Sequence, residues 1–283
     1  MIDIIDRKSD FSENIIIMIV NKKLKNVLNR HEVLKIIIGI NNFNLNDIIA
    51  RAKEAEIGGA TYIDIAANIN ILYELKQVSS LPICVSSINS HELFICFKAG
   101  ADILEVGNFD IFYKRGIILS SKEIIAIAKD IMNRAPLACV CVTIPHYLSL
   151  LEQIQLAKKL ESLGVDIIQT EGFSSKSKED GCLVNSLNKA SNALSSTYVF
   201  AKYLKVPIIS ASGINSLSAP IAVFYGASGI GVGSFVSHLN DSIHRSLIIQ
   251  YISKSISKNF ITDISNNNLN LYPVFDSINI NQY

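Results

Sequence analysis

Eight short apolar runs, rich in β-branched residues, recur along the chain at intervals of about 30 residues. Each run is followed by a polar turn and then by a stretch with the 3.6-residue period of an amphipathic helix. Strands that alternate with helices pair in parallel, and eight such units close into a barrel. We therefore predict an α/β fold, a single (β/α)8 TIM barrel. The runs span residues 34–40, 61–66, 81–86, 102–106, 137–143, 166–170, 207–211 and 228–232.

An open, doubly wound sheet is the alternative arrangement of the same strands and helices. That fold would carry a glycine-rich dinucleotide fingerprint after its first strand, but residues 39–44 contain one glycine. The barrel is therefore preferred, with its limits at residues 31–257. Residues 1–30 form a short N-terminal extension, in which we expect a helix that covers the bottom of the barrel. The C-terminal tail, residues 258–283, is rich in asparagine and is expected to be disordered.

The composition argues against two classes of protein. Hydrophobic residues make up 49% of the chain and the mean hydropathy is +0.32. However, the apolar run at residues 15–20 is far shorter than the roughly 18 residues that cross a bilayer. The 26 basic and 25 acidic residues leave a net charge of +1, which does not favour binding to nucleic-acid phosphates. We expect a soluble protein with neither a membrane nor a nucleic acid as its partner, and we recognise no signal peptide.

The five cysteines are scattered and odd in number, which does not suit a disulfide framework. Cys139 and Cys141 lie two residues apart in an apolar strand, on the same face, and cannot form a CxxC turn. We interpret the cysteines as small buried hydrophobes in a reducing compartment. No second histidine stands at ligand spacing from His146, so no metal site is predicted.

Small residues follow the seventh and eighth strands, where many barrels hold phosphate groups. Ser212 and Gly213 follow the seventh strand, and Gly233 and Ser234 follow the eighth. Glycine lets backbone N–H groups approach an anion, and serine adds a hydroxyl donor. We predict that these four residues bind a phosphate group, although glycine and serine are also ordinary turn residues.

Three acidic residues interrupt apolar strands. Asp64, Glu105 and Glu171 belong to the second, fourth and sixth strands, and alternation directs them to the inside of the barrel. A buried carboxylate needs a partner or has a perturbed pKa, so each is a candidate catalytic acid or base. The alternative is a structural ion pair, for which Lys35 on the first strand is the candidate partner.

Further candidates lie in the loops that follow the strands. His146 directly follows the fifth strand and suits proton transfer at the barrel mouth. Asn41, after the first strand, and Asn108, in the polar and aromatic stretch 107–113 after the fourth, are candidate substrate contacts. The polar loop 174–181 after the sixth strand is either a lid or a surface insertion.

Five segments are similar to the hypothetical chloroplast reading frame twenty-three family, which occurs in algal plastids and cyanobacteria. They are residues 58–66 (GGATYIDIA), 142–146 (VTIPH), 167–172 (IIQTEG), 211–214 (ASGI) and 231–234 (GVGS). The resemblance covers roughly residues 33–250. It implies a TIM barrel and a location in the chloroplast, in its stroma, and it supplies no activity and no catalytic residues. The abundance of isoleucine, asparagine and lysine, which share A/T-rich codons, agrees with a plastid genome.

Three functions remain open. The first is an isomerase or lyase acting on a phosphorylated small molecule, with proton transfer by His146 or one of the three acids. The second is an oxidoreductase with flavin mononucleotide as cofactor, held by the same phosphate site, although no basic residue at a strand end favours it. The third is a non-enzymatic barrel that senses a metabolite or binds a partner, in which the acids are ion-paired. The oligomeric state is not predicted.

Overall fold

The computed structural model describes residues 24–107, 109–113, 115–172 and 183–257. Its strands are β1 (Val33–Gly39), β2 (Tyr62–Ala66), β3 (Ile83–Ser87), β4 (Ile103–Val106), β5 (Cys139–Ile144), β6 (Ile167–Thr170), β7 (Ile208–Ala211) and β8 (Gly229–Val232). All eight pair in parallel with their sequence neighbours, and β8 pairs with β1 to close the barrel. The predicted (β/α)8 TIM barrel is confirmed, and the open sheet is excluded. The ends of the predicted runs differ from those of the strands by at most two residues.

Helices follow the strands and surround the barrel. They are α1 (24–30), α2 (Leu45–Ile57), α3 (Ile69–Val78), α4 (Ser90–Lys98), α5 (Asp110–Tyr113), α6 (Ser121–Arg134), α7 (Leu150–Leu163), α8 (Leu183–Tyr203), α9 (Ser218–Phe224), α10 (Ser234–Ser237) and α11 (Ser242–Ser255). Among these described helices, none combines the length and the apolar character that a membrane span requires.

The strands are buried on both faces, which accounts for the high apolar fraction of the chain. Outward-facing residues such as Ile63 and Leu104 pack in a large core against the helices. Inside the lower end of the barrel, where the strands begin, Val33 and Tyr62 belong to a second cluster that includes residues of α1. The α1 residues are Leu24 and Leu28. The extension therefore contributes a helix that covers this end.

Closure between β8 and β1 requires a glycine. A Cβ atom at Gly229 would lie 2.4 Å from Cβ of Val33 and 2.6 Å from its carbonyl oxygen. Any side chain here would force the two strands apart at their first paired position. Residues 1–23 and 258–283 lie outside the described residues, so the domain limits and the disorder of the tail stay predictions.

Candidate functional site

Lys35 extends from β1 into the centre of the barrel, where its side chain is fully buried. Its Nζ lies 2.9 Å from Oδ2 of Asp64 on β2 and 2.5 Å from Oε2 of Glu105 on β4. The same ammonium group donates to Oε1 of Gln169 on β6 at 2.9 Å. One cation thus joins four strands across the barrel. We call Lys35, Asp64, Glu105 and Gln169 the interior cluster.

Neighbouring strands satisfy the carboxylate oxygens that do not face Lys35. Ser86 donates to Oδ1 of Asp64 at 2.6 Å. Oε1 of Glu105 accepts from Thr143 at 3.0 Å and from the Gln169 amide at 2.7 Å. Buried charges are tolerated when they are paired and hydrogen-bonded in this way. Asp64 and Glu105, two of the predicted catalytic residues, therefore lie in the structural ion pair that the sequence offered as the alternative.

Burial and charge act in opposite directions on the interior cluster. Burial by itself would lower the pKa of Lys35, but the carboxylates of Asp64 and Glu105 raise that pKa well above its ordinary value. Burial raises the pKa of Glu105, and the positive charge of Lys35 opposes the rise. Asp64, Cys84 and Glu105 also bring three potential metal-ligand atoms within 4.8 Å of one another. Since the Lys35 ammonium already contacts both carboxylates, the cluster carries its own cation.

A second polar cluster lies at the mouth of the barrel, where the strands end. Glu171 follows β6, His146 follows β5, and Tyr113 is the last residue of α5. The Tyr113 hydroxyl donates to Oε2 of Glu171 at 2.7 Å, and the backbone N–H of His146 donates to the same oxygen at 3.1 Å. The Nδ1 atom of His146 lies 3.0 Å from it. We call Glu171, His146 and Tyr113 the mouth cluster.

The mouth cluster has the geometry of an acid–base pair. An ionised carboxylate only accepts hydrogen bonds, so Nδ1 of His146 carries the hydrogen in its contact with Glu171. The three donors converge on Oε2, and within the described part of the chain none donates to Oε1. The Glu171 side chain is 7% exposed and that of His146 is 17% exposed, so the pair is sheltered but reachable. It can exchange a proton with a molecule held at the mouth.

The turn after β7 contacts the chain next to Glu171. The Ser212 hydroxyl donates to the carbonyl oxygen of Gly172 at 3.0 Å. Ser212 and Gly213 both have a left-handed backbone, with φ angles of 80° and 72°. A Cβ atom at Gly213 would lie 2.1 Å from the carbonyl oxygen of Lys189 on α8. Gly213 is thus required for packing, whether or not an anion binds at this turn.

The turn after β8 leads directly into α10. Gly233 precedes the helix, and a Cβ atom there would lie 3.3 Å from both Cβ and the carbonyl oxygen of Ile37. Val236 donates its N–H to the carbonyl oxygen of Gly233 at 3.1 Å. The N–H groups before Val236, including that of the exposed Ser234, are the first of the helix and have no intrahelical acceptor.

Of the two predicted substrate contacts, the structure describes Asn41, which is not part of either cluster. Asn41 is exposed in the turn after β1. Asn108 lies outside the described residues, and so does the polar loop 174–181. Their roles stay predictions.

Sequence reasoning missed two polar side chains of the clusters. Tyr113 lies in the aromatic stretch named for ligand contact, but nothing in the sequence pairs it with Glu171. Gln169 lies two residues before Glu171, on the same face of β6, so alternation could have identified it.

The described cysteines are expected to be unreactive in the folded protein. Burial raises the pKa of Cys96 to about 11 and raises those of Cys84, Cys139 and Cys141 further. Because the thiolate is the reactive form, iodoacetamide at pH 8 should leave all four unlabelled in native protein and label them after unfolding in urea. Peptide mapping by mass spectrometry measures this. Rapid native labelling of any of the four would contradict their burial.

The chain is a (β/α)8 barrel with a hydrogen-bonded glutamate–histidine pair at the carboxyl end of its strands. The chain belongs to the family described as "Protein of unknown function (DUF561)", which matches residues 19–262. A relative from Porphyra purpurea, "Uncharacterized protein ycf23", is 43% identical over 242 residues, covering 86% of this chain and 91% of its own. The protein of that name from Antithamnion sp. is 44% identical over 271 residues, covering 93% and 97%. These relatives confirm the resemblance, and their designation and algal sources indicate a plastid protein.

Solved structures of other barrels share the fold. Tryptophan synthase subunit alpha from Legionella pneumophila superposes with a TM-score of 0.58 at 12% identity, covering 84% of this chain and 97% of that one. 3-Hexulose-6-phosphate synthase from Salmonella typhimurium gives 0.56 at 16% identity, with coverages of 79% and 98%. Thiamine phosphate pyrophosphorylase from Pyrococcus furiosus gives 0.54 at 18% identity, with coverages of 81% and 98%. At these identities the likeness concerns the fold alone.

Proposed function

We propose that the protein is an isomerase or lyase that binds a phosphorylated small molecule at the barrel mouth and moves a proton on it. The observation that carries the proposal is the mouth cluster, in which three hydrogen-bond donors converge on one oxygen of Glu171. The phosphate group would lie at the turns after β7 and β8, next to that cluster.

Among the three predicted acids, Glu171 is the one suited to chemistry. Asp64 and Glu105 are buried against the Lys35 ammonium, which a ligand at the mouth would have to displace. Glu171 lies at the end of its strand, where barrel enzymes carry their catalytic groups. Its Oε2 atom contacts Nδ1 of His146, and a histidine side chain can donate or accept a proton near neutral pH. The pair supplies both partners of general acid–base catalysis.

The phosphate site is supported by its position and by its backbone. Turns after the seventh and eighth strands are the usual phosphate site of this fold. The left-handed turn at Ser212 and the exposed first N–H groups of α10 lie there. The names of two structural neighbours, a hexulose-6-phosphate synthase and a thiamine phosphate pyrophosphorylase, include phosphate compounds, which agrees with this proposal.

The other two functions gain no separate support. A flavin would need a basic group near its ring, and Lys35 is enclosed in the interior cluster instead of lying at a strand end. A non-enzymatic barrel would have its acids in ion pairs. That describes Asp64 and Glu105, but Glu171 contacts a histidine and a tyrosine. We place the proposed activity in the plastid stroma, in line with the ycf23 relatives.

A thermal-shift experiment tests the phosphate site. Inorganic phosphate and a panel of sugar phosphates are compared with the unphosphorylated sugars. A ligand at 100 times its Kd stabilises by about 2.7 kcal/mol, which for a protein of this size raises Tm by about 5 °C. We expect such a rise from at least one phosphorylated compound and none from its unphosphorylated counterpart.

The variant Ser234→Asp adds a negative charge at the exposed start of α10. An acidic residue is favourable at a helix N-terminus, so the variant should fold, but its charge should repel phosphate and weaken binding at least tenfold. Ser121→Asp is the matched control, because Ser121 is the first residue of α6, which follows β4 and so lies across the barrel from the turn after β8. A full thermal shift in Ser234→Asp would refute the proposed site.

A further inference from the structure

The ladder between β6 and β7 is the shortest of the barrel. It joins Ile168 to Ile208 and Gln169 to Ile209 and goes no further. The neighbouring ladders continue toward the mouth, from β5 to Thr170 of β6 and from Ala211 of β7 to β8. The two strand ends that carry Glu171 and the β7 turn are therefore not held together by the regular ladder.

Beyond the end of this ladder, two side-chain hydroxyls form the hydrogen bonds between the chain after β6 and the chain after β7. The Thr170 hydroxyl accepts from the backbone N–H of Ala211 at 3.1 Å and faces the carbonyl oxygen of the same residue at 3.3 Å. One step nearer the mouth, the Ser212 hydroxyl donates to the carbonyl oxygen of Gly172. A Cβ atom on Gly172 would lie 3.5 Å from Cβ of Ser212, so the backbone next to Glu171 packs directly on this serine.

Ser212 holds this contact in a strained conformation. A left-handed backbone is unfavourable for a residue other than glycine, and among the described non-glycine residues only His31 shares it. Strain of this kind persists only where surrounding contacts fix it, and it clusters at ligand sites. The contacts that fix Ser212 are the hydroxyl bond to Gly172 and the packing of Gly213 against Lys189.

We propose that Ser212 is a positioning residue that links the turn after β7, where the phosphate group would bind, to Glu171 and His146 of the mouth cluster. Its hydroxyl bond ties the β7 turn to the chain next to Glu171, so an anion at the turn shifts the mouth cluster. The inference rests on the proposed function, since it requires an anion at the turn after β7. It predicts that anion binding and the environment of His146 respond together, and that the response needs the Ser212 hydroxyl.

Nuclear magnetic resonance on the full chain tests the link with inorganic phosphate as the probe. The backbone amide signal of Gly233 reports phosphate binding, and the ring signals of His146, identified with the variant His146→Gln, report the mouth cluster. In the wild type, both should move with the same apparent Kd. Ser212→Gly removes the hydroxyl and relieves the left-handed strain, so the variant should fold. Because Ser212 belongs to the proposed phosphate site, each protein is compared at saturating phosphate, judged by its own Gly233 titration. There we expect the His146 response in Ser212→Gly to fall to about a third or less of its wild-type size.

Two results would overturn the link, and they are distinguishable. If phosphate moves Gly233 in the wild type but His146 responds equally in wild type and Ser212→Gly, the link is wrong and the phosphate site stands. If phosphate moves neither signal in the wild type, the proposed site fails and the link fails with it. Ser212→Ala separates hydroxyl from strain, because it lacks the hydroxyl but keeps the strain. If the His146 response to phosphate is lost in Ser212→Ala, the hydroxyl bond is supported as the link. If that response keeps its wild-type size, the proposed link is overturned.

Discussion

Replacement of Lys35 by methionine is expected to lower the free energy of unfolding by about 3–5 kcal/mol, because it leaves two buried carboxylates without their cation. Asp64 and Glu105 lie within 2.9 Å of Nζ, and their side chains are at most 1% exposed. Methionine fills most of the volume of the lysine stem, so the loss is electrostatic and not a cavity effect. Urea unfolding followed by circular dichroism measures it.

The stability loss in Lys35→Met should depend on pH in a defined direction. Burial already raises the pKa of Glu105 in the wild type, and removal of Lys35 removes the charge that opposes the rise. A carboxyl group with a raised pKa binds more protons in the folded than in the unfolded state. Such a group therefore lowers the free energy of unfolding of the protein as the pH rises from acid toward neutral. The difference between variant and wild type should be smaller at pH 5 than at pH 8.

Two further variants separate this explanation from simple misfolding. The triple variant Lys35→Met, Asp64→Asn, Glu105→Gln carries no unpaired charge and should recover part of the lost stability. Lys202→Met removes a lysine that lies exposed over the ring of Tyr198, and it should change stability by less than about 1 kcal/mol. Equal loss in the single and triple variants would show that the ion pair is not the cause.

The fold could be predicted from the sequence because each strand is buried on both faces and each helix on one. The alternation also placed Asp64 and Glu105 inside the barrel, whereas Glu171 lies just past the end of β6, at the mouth. It could not tell which inward residues lie at the same height, because that depends on the stagger between neighbouring strands. Lys35 and Glu105 are 70 residues apart and meet only through that stagger.

The mouth cluster and the β7 turn illustrate a second limit of the sequence. Tyr113 reaches Glu171 from a short helix outside the strand pattern. The left-handed backbone of Ser212 could not be predicted from the sequence Ser-Gly. In an ordinary turn, the glycine alone would adopt the left-handed conformation and the serine would not. Periodicity predicts elements and faces, whereas these contacts depend on how the loops fold over the barrel end.

Replacement of Glu171 by glutamine is expected to slow proton transfer by about 100- to 10,000-fold, the usual contribution of a positioned acid or base. The substitution keeps the size of the side chain and one oxygen that can accept from Tyr113, but it removes the carboxylate that can take up and release a proton beside His146. The compound with the largest thermal shift is incubated with the protein in D2O. Loss of a C–H signal in the proton spectrum then measures the rate of exchange with solvent.

Binding should survive in Glu171→Gln, because the proposed phosphate site uses the turns after β7 and β8 and not the carboxylate. The thermal shift with the same compound should therefore stay within about twofold of the wild-type value, while exchange is lost. Glu74→Gln, an exposed residue of α3, is the matched control and should leave both measurements unchanged. Exchange at the wild-type rate in Glu171→Gln would remove Glu171 from the chemistry. If both the exchange and the thermal shift are lost in Glu171→Gln, Glu171 is a ligand contact. A group that acts mainly in the transition state affects turnover more than binding.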